Sequence, residues 1–575
     1  MPSAPQDTAA PSVAASGVRQ RHVTTLLGLI STALLACSSA DKVTTGETGG
    51  TMVIVQPAEP RTLFPPRANQ THELSVIASV FDRLAEIGPE LSTFGDIGFT
   101  PRLAKTWSWA PDSLSIAFSI DPLARWHDGV AVRAEDVRYT FHVYTSDAVL
   151  SESRSLLGNI DSVSVRDSLT AVVWFKRRTP QQFLDATYSM FILPSHLLAS
   201  LPDSALVNAP FGRQPVGTGR FRFAQWEAGS RLEIIADTAN ARGRAKLDRV
   251  IWTFVSDLGA ATVKLSAGEA DFLEQIKPEN IPQVASTPSL RLESYLSLRY
   301  GFVGFNLNAR REPLGAAGTP HPVFGDVRVR RALSMALDRA RMVRSALDSL
   351  GMVSFGAGPR VLIPDTTVLR QVPFDVAAAR ALLDSAGWVD TNGDGVREHN
   401  GQALTFELLV PTSSATRLKL SVLVQSALKN IGANVVLQNL DGSALGPRLD
   451  ARDFDAWMGG MQTNPGLQGM RQTWASRGAL NHQGYNSPVF DAVLDSALTT
   501  FDLARSRGYW ARVFQQAIDD APSVWLYEER LPIAVHKRIR IAPLRADGWY
   551  ANLADWSVDP AQLIDRDRVG LGGAR

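Results

Sequence analysis

The sequence predicts a mixed α/β fold built from more than one lobe. Three observations carry that expectation. A chain of 575 residues is far longer than one ordinary domain. From Trp107 to Phe175 the apolar pattern is mostly period two, the mark of half-buried strands. From Leu404 to Leu440 it reads as strand, helix, strand, which implies a partly parallel sheet.

The first residues read as an address rather than as part of the fold. Arg19, Arg21 and His22 precede an uncharged, mainly apolar run from Val23 to Ala36, which ends in Leu34-Leu35-Ala36-Cys37. A basic flank, a short apolar segment and small residues before a cut site describe a secretory signal peptide over 1–36. A membrane-crossing helix needs about 20 apolar residues, more than this run offers. Cys37, the single cysteine of the chain, stands where a bacterial lipoprotein signal places the residue that is lipidated. The Ser/Thr/Gly-rich segment 37–50 then reads as a flexible tether. Disulfides are excluded, so the exported fold must stand on its own core.

Folding is expected to begin with a strand at Thr51-Met52-Val53-Ile54-Val55, followed by a proline-rich loop. Leu114, Ile116, Phe118 and Ile120 form one arm of a hairpin after a turn at Ala110–Ser113. Val163 and Val165 pair through Arg166-Asp167-Ser168 with Leu169, Ala171, Val173 and Phe175. Between the hairpins, Val137, Phe141 and Tyr144 are spaced for one buried helix face. Strands return over 221–254. The stretch from Asp326 to Leu350 predicts one long helix, with Asp326 as N-cap, Val329, Leu333, Leu337 and Ala340 facing the core, and Gly351 as its stop. Leu404–Val410, Ser414–Asn430 and Asn434–Leu440 make the βαβ unit. Pro488, behind a Ser487 cap, opens the last helical region.

Composition excludes several function classes. Lys and Arg total 58 against 57 Asp and Glu, so nothing favours nucleic acid or an electrostatic hold on membranes. Hydrophobic residues at 45% and charged residues at 20% fit a soluble globular chain whose membrane contact is the acyl anchor alone. No nucleophile elbow, zinc-protease helix, phosphate loop or paired Cys-x-x-Cys occurs. The nine histidines are scattered, with no metal-ligand spacing on one helix. Gly217-Thr218-Gly219 reads as a turn, and His127-Asp128 as a hydrogen-bonded turn rather than a base and its orienter. Asp390-Thr391-Asn392-Gly393-Asp394-Gly395 matches the start of a calcium loop. Its twelfth position is Gly401 rather than the bidentate Glu that completes such a site. It reads as a polar hairpin turn, and neither metal nor cofactor is expected. The 13 tryptophans are the more suggestive feature, since large rings line apolar cavities at little entropic cost.

The motifs together resemble one family. Pro101-Arg102-Leu103-Ala104-Lys105-Thr106-Trp107, Trp126-His127-Asp128-Gly129 and Ala134-Glu135-Asp136-Val137 are similar to the signature block of the family 5 extracytoplasmic solute-binding proteins, the receptors of peptide, dipeptide and nickel ABC importers. The likeness continues in order through Ile192–His196, Pro215–Gly219, Lys246–Val250, Phe305-Asn306-Leu307, Asp326–Leu333 and Ala378–Trp388, and it covers nearly everything from 52 to about 545. Arg220 and Arg133 depart from the family's usual Pro and Thr or Asn. Asn464, before Pro465, stands where peptide binders of the family often carry an Asp that pairs the ligand's α-amine. A neutral amide cannot give an ammonium the doubly charged bond that a carboxylate would.

The resemblance implies an α/β, two-lobed periplasmic-binding-protein fold of type II, the Venus-flytrap arrangement, with an additional small α/β lobe. Lobe I would be discontinuous over 50–65, 211–300 and 525–565, the small lobe 66–210, and lobe III 301–524. The chain would cross between the main lobes near Tyr300–Asn308 and again near Ala521–Leu526. It further implies a non-catalytic, monomeric receptor that closes on a peptide or other small solute and delivers it to membrane permease subunits. The cleft candidates are Arg61, Phe81, Asn306, Trp457, Asn464, Trp474 and Tyr485. Two readings from other classes stand beside it. One is a lipid-anchored hydrolase, which would need a nucleophile and base converging in the cleft. The other is a sensor or chaperone-like binder on the same fold, which would lack neighbouring permease and ATPase genes.

Overall fold

The computed structural model describes residues 48–312, 318–467 and 469–568. The leader, Cys37 and most of the tether lie outside them.

The first strand, β1 (Thr51–Gln56), is buried at every residue. Its neighbours on both sides run parallel to it, so both faces are covered and no polar alternation is needed. Helix α1 (Thr71–Val80) follows. A separate antiparallel sheet then grows from β2 (Ala104–Trp109), β3 (Ser115–Ile120), β4 (Ile160–Asp167) and β5 (Thr170–Phe175), in the order β2-β3-β5-β4. Helix α2 (Ala134–Thr145) buries Val137 and Tyr144, as the helical spacing predicts, while Phe141 is half-buried against the same core.

The motif blocks of this region are tied together by two side chains. The buried Asp136 carboxylate accepts from the Arg133 N–H (2.8 Å), the Trp126 indole (3.2 Å), and the Ser195 N–H (2.9 Å) and hydroxyl (2.6 Å). The helix start is therefore capped from its own first turn, and Arg133 need not supply a cap. His127 accepts from the Gly217 N–H at Nδ1 (3.1 Å), and its Nε2 lies 2.9 Å from the Gly219 carbonyl. That arrangement suits a neutral ring donating from Nε2, and burial pushes its pKa below the ordinary value. A Cβ at Gly217 or Gly219 would run into the Val80 and Ser79 carbonyls, so the glycines allow a close approach to the end of α1.

The main sheet gathers β6 (Phe221–Glu227), β7 (Arg231–Ala236), β8 (Arg249–Phe254), β9 (Phe272–Leu273) and the long β10 (Leu290–Phe305). The long helix expected over 326–350 is instead two helices, α3 (Val327–Met335) and α4 (Arg339–Leu347), with a short 3₁₀ turn after them. Asp338 breaks the run by accepting from the Arg341 N–H (3.0 Å), which makes it the N-cap of α4. The break resets the helical phase. Val329, Leu333 and Leu337 are buried as expected, but Ala340 is exposed and Met342 and Val343 face the core. Gly351 does not stop a helix; it opens the short β11 (Gly351–Val353).

The βαβ unit is present as β12 (Thr405–Pro411), α5 (Ala415–Lys429) and β13 (Asn434–Leu440), the strands parallel from Thr405–Asn434 to Pro411–Leu440. Then come β14 (Ala456–Gln462), α6 (Gly469–Trp474), α7 (Pro488–Thr499), capped by Ser487, α8 (Leu503–Asp520) and the long β15 (Ser523–His536).

The strand order is β13-β12-β14-β10-β15-β9-β1-β8-β7-β6, with β11 also on β15. The antiparallel pair β10 and β15 links two sets of cores. Leu298 and Ile533 pack with the β1 side, whereas Phe302, Val303, Val524 and Trp525 pack with the βαβ side. Their register slips between Leu296 and Tyr300, opposite Arg530 and Glu528. On the β1 side, the Thr51 N–H donates to Asp567 (2.8 Å), and Arg538 bonds Asp567 (2.8 Å) and the Thr51 carbonyl (2.6 Å). No helix among the described residues is long and apolar enough to cross a membrane.

Candidate ligand-binding cleft

Where β10 and β15 pass between the two sets of cores, a cavity of about 540 Å³ opens. Four regions supply its wall: the hairpin-rich segment, the strand pair, the end of β14, and the C-terminal stretch from Ala546 to Tyr550. On β10, Tyr295, Ser297 and Arg299 share one face, because alternate residues of a strand point the same way. Tyr188, Tyr295 and Tyr550 present phenols whose pKa values burial pushes up, so they are neutral hydrogen-bonding groups. Arg83 reaches in with its guanidinium 4.5 Å from the Tyr188 ring centre and 4.2 Å from that of Phe191, and Glu86 balances its charge at 3.2 Å. Arg299 donates to the Gln462 side chain (3.0 Å) and has no carboxylate within 4 Å among the described residues. Glu274 lies behind Tyr295; burial pushes its carboxyl up to about 7, against the opposing bond from the Trp549 indole (3.0 Å).

Two further cavities lie nearby, the first against the cleft and the second against the first, with which it shares Leu362 and Leu467. One, of about 140 Å³, shares Gln462, Thr463 and Asn464 with it and sinks into the far half over Trp474. The other, of about 400 Å³, separates Glu90–Phe94 and Pro180-Gln181 from Pro465, Leu467 and Trp510 of the far half. A larger groove of about 760 Å³ runs beside His127 and Trp226. Its wall comes from 127–128 and 213–228 alone, so it touches neither the strand pair nor the far half and is a poor candidate for gripping a solute between lobes.

The seven residues singled out in the sequence land in different surroundings. Asn464 lines both the cleft and the recess, and Trp474 floors the recess, its indole donating to the Tyr300 hydroxyl (3.2 Å). Arg61 is exposed and pairs with Glu73 (3.0 Å). Phe81 is buried against Phe211, ring centres 6.0 Å apart. Asn306 donates to the carbonyls of Arg452 (3.2 Å) and Phe454 (3.0 Å) in the far core. Trp457 packs edge-on to Phe302, and the Tyr485 hydroxyl donates to Asp520 (2.6 Å). None of these five lines the cleft or the recess. The sequence reading missed Arg83, Tyr188, Tyr295, Arg299 and Tyr550. For Tyr295 and Arg299 a signal existed, the period-two run along β10.

Asp390, Asp394 and Glu398 bring carboxylate oxygens within 4.8 Å of one another on an exposed hairpin. Glu398 also accepts from the Thr391 N–H (2.8 Å), stitching the loop into the polar turn expected there.

A cleft walled by two halves that share one strand pair defines the class: a two-lobed solute-binding protein of type II fold. The family model of the bacterial extracellular solute-binding proteins, family 5, matches residues 98–479, and the chain belongs to that family. Membership makes it an extracytoplasmic solute-binding receptor. The oligopeptide-binding protein AppA of Bacillus subtilis is 28% identical over 417 residues, 70% of this chain and 73% of its own length. A putative ABC transporter peptide-binding protein of Brucella melitensis is 26% identical, covering 79% and 84%. Among solved structures, AppA in complex with a nonapeptide superposes with a TM-score of 0.70 at 24% identity, covering 89% of this chain and 99% of that one. NikZ of Campylobacter jejuni with Ni(L-His) gives 0.71 at 23% identity, covering 88% and 99%. At these identities the structures establish the fold alone.

Proposed function

We propose that the protein captures a peptide or peptide-like solute in the cleft between its lobes and delivers it to the permease of an ABC importer, without chemistry of its own. The single observation that supports this most is the composition of the cleft wall, to which both halves and the hairpin-rich segment all contribute. A solute touching all three binds the closed arrangement better than the open one and shifts the population toward closure. The lobes are those expected from the resemblance: 50–65 with 211–300 and 525–565, then 66–210, then 301–524. They bend about the register slip at Leu296–Tyr300, where the ladder is locally unpaired.

The solute-contacting residues in this reading are Asn464, Tyr295, Arg299 and Tyr188. Asn464 offers a neutral amide in place of a carboxylate, which suits an uncharged group on the solute, as in a blocked or modified peptide, better than a free α-amine. Cys37 anchors the receptor beside the permease. The test is a screen of purified protein by thermal shift and tryptophan fluorescence against free and N-acetylated peptides and nickel chelates. Stabilisation without turnover is expected; turnover of any compound would return the hydrolase reading. In cells, Cys37→Ala should release the protein from membranes, and continued membrane partitioning would remove the anchor.

A further inference from the structure

Building on the cleft reading, we propose that the 140 Å³ recess above Trp474 receives an uncharged aromatic or branched aliphatic side chain of the bound solute, and so sets its specificity. Three features carry this. The recess opens on the cleft through Gln462, Thr463 and Asn464, so a solute lying against Asn464 stands at its mouth. No ionisable carboxylate, ammonium, guanidinium or imidazole is among its lining residues. Its polar floor is already engaged, because the Trp474 indole donates to the Tyr300 hydroxyl (3.2 Å). A charged group entering would lose its hydration and find no counter-charge.

Size narrows the occupant further. A dry apolar cavity of about 150 Å³ accepts benzene, which puts this recess at the size of a phenyl or isobutyl group. Met461 and Met470 border it with flexible thioethers that adapt to either shape. The volume is too small for an indole without movement. The recess therefore discriminates by charge first and by size second.

The test uses short alanine peptides, free and N-acetylated, carrying one Phe, Leu, Lys or Glu at each position in turn, with binding measured by calorimetry. At one position Phe or Leu should bind about tenfold or more tightly than Ala, Lys or Glu. Met461 is half-buried at the rim, so Met461→Trp should fill the recess and abolish that preference while peptides without a large side chain still bind. Met461→Ala should extend the preference to Trp; a thermal melt of each variant checks the fold. Peptide binding that is indifferent to side chain at every position, or a preference unchanged in Met461→Trp, overturns the recess and leaves the receptor reading standing. Absence of binding by every peptide overturns both.

Discussion

The two halves joined by β10 and β15 solve the burial of polar groups in opposite ways. On the β1 side a buried ion network gathers around one carboxylate. Arg538, 1% exposed, meets Asp271, 0% exposed, at 2.7 Å, and Arg566 reaches the same carboxylate at 2.6 Å. Asp271 also accepts from the Val53 N–H (2.8 Å). In the far half the buried Arg330 guanidinium is bonded only to backbone carbonyls, and around the aromatic core several neutral polar groups lack a partner in the protein. The Trp457 and Trp525 indoles, the Gln483 amide and the Ser523 hydroxyl are all without one. They surround an aromatic cluster of Phe302, Trp457, Trp474 and Trp525. A buried ion network fixes one geometry, whereas rings, thioethers and unpaired neutral donors tolerate repacking and bound water. The contrast assigns the frame to the β1 side and the adaptable wall to the far side.

Three substitutions sharpen or break that contrast. Asp271→Ala should have the largest effect, about 3 kcal/mol of unfolding stability by denaturant titration, since it removes the carboxylate shared by the part-exposed Arg566 and the buried Arg538, which keeps only Asp567. That figure measures the cost of stranding charge and is not the net worth of the pair. Trp474→Phe should cost less, about 1–2 kcal/mol, because a neutral ring replaces a neutral ring and the Tyr300 hydroxyl loses one bond. A larger loss at Trp474 than at Asp271 would invert the assignment of frame and wall. The smallest effect belongs to Glu274. Its carboxyl is raised in the fold to about 7, so its contribution is fully present below the unfolded pKa near 4.5 and is lost as pH rises through 7. Glu274→Gln should therefore be neutral near pH 4 and stabilising by about 1 kcal/mol near pH 8. Equal melting curves of the two proteins at pH 8 would show that this carboxyl is not desolvated.

The hairpins and the helix of the βαβ unit were legible from their periods of two and of 3.6, and β1 as a short continuous apolar run before a proline-rich loop. The helix over 326–350 was misread for a physical reason. Val329, Leu333 and Leu337 keep helical phase right up to Asp338, and an aspartate in mid-run looks like a surface residue until its side chain caps a new helix. The cleft was harder to foresee. Tryptophan content drew attention to rings that hold the far core together, while the aromatic groups of the cleft wall are Phe191 and tyrosines from distant segments. Tyr188, Tyr295 and Tyr550 are brought together only by the strand pair and the C-terminal return, which no local pattern encodes. Asn464 was singled out through the family likeness and Trp474 through the tryptophan content, and the recess that both line is a property of packing alone.

The bond from Thr51 to Asp567 has a practical reach. It fastens the first strand to the C-terminal turn at one spot, so a probe attached at Arg568 would report on the start of that strand. Trimming the chain back to Gln562 would unlatch the first strand as well as the last turn, and a protease that nicks there would loosen the receptor at its base while sparing its mouth.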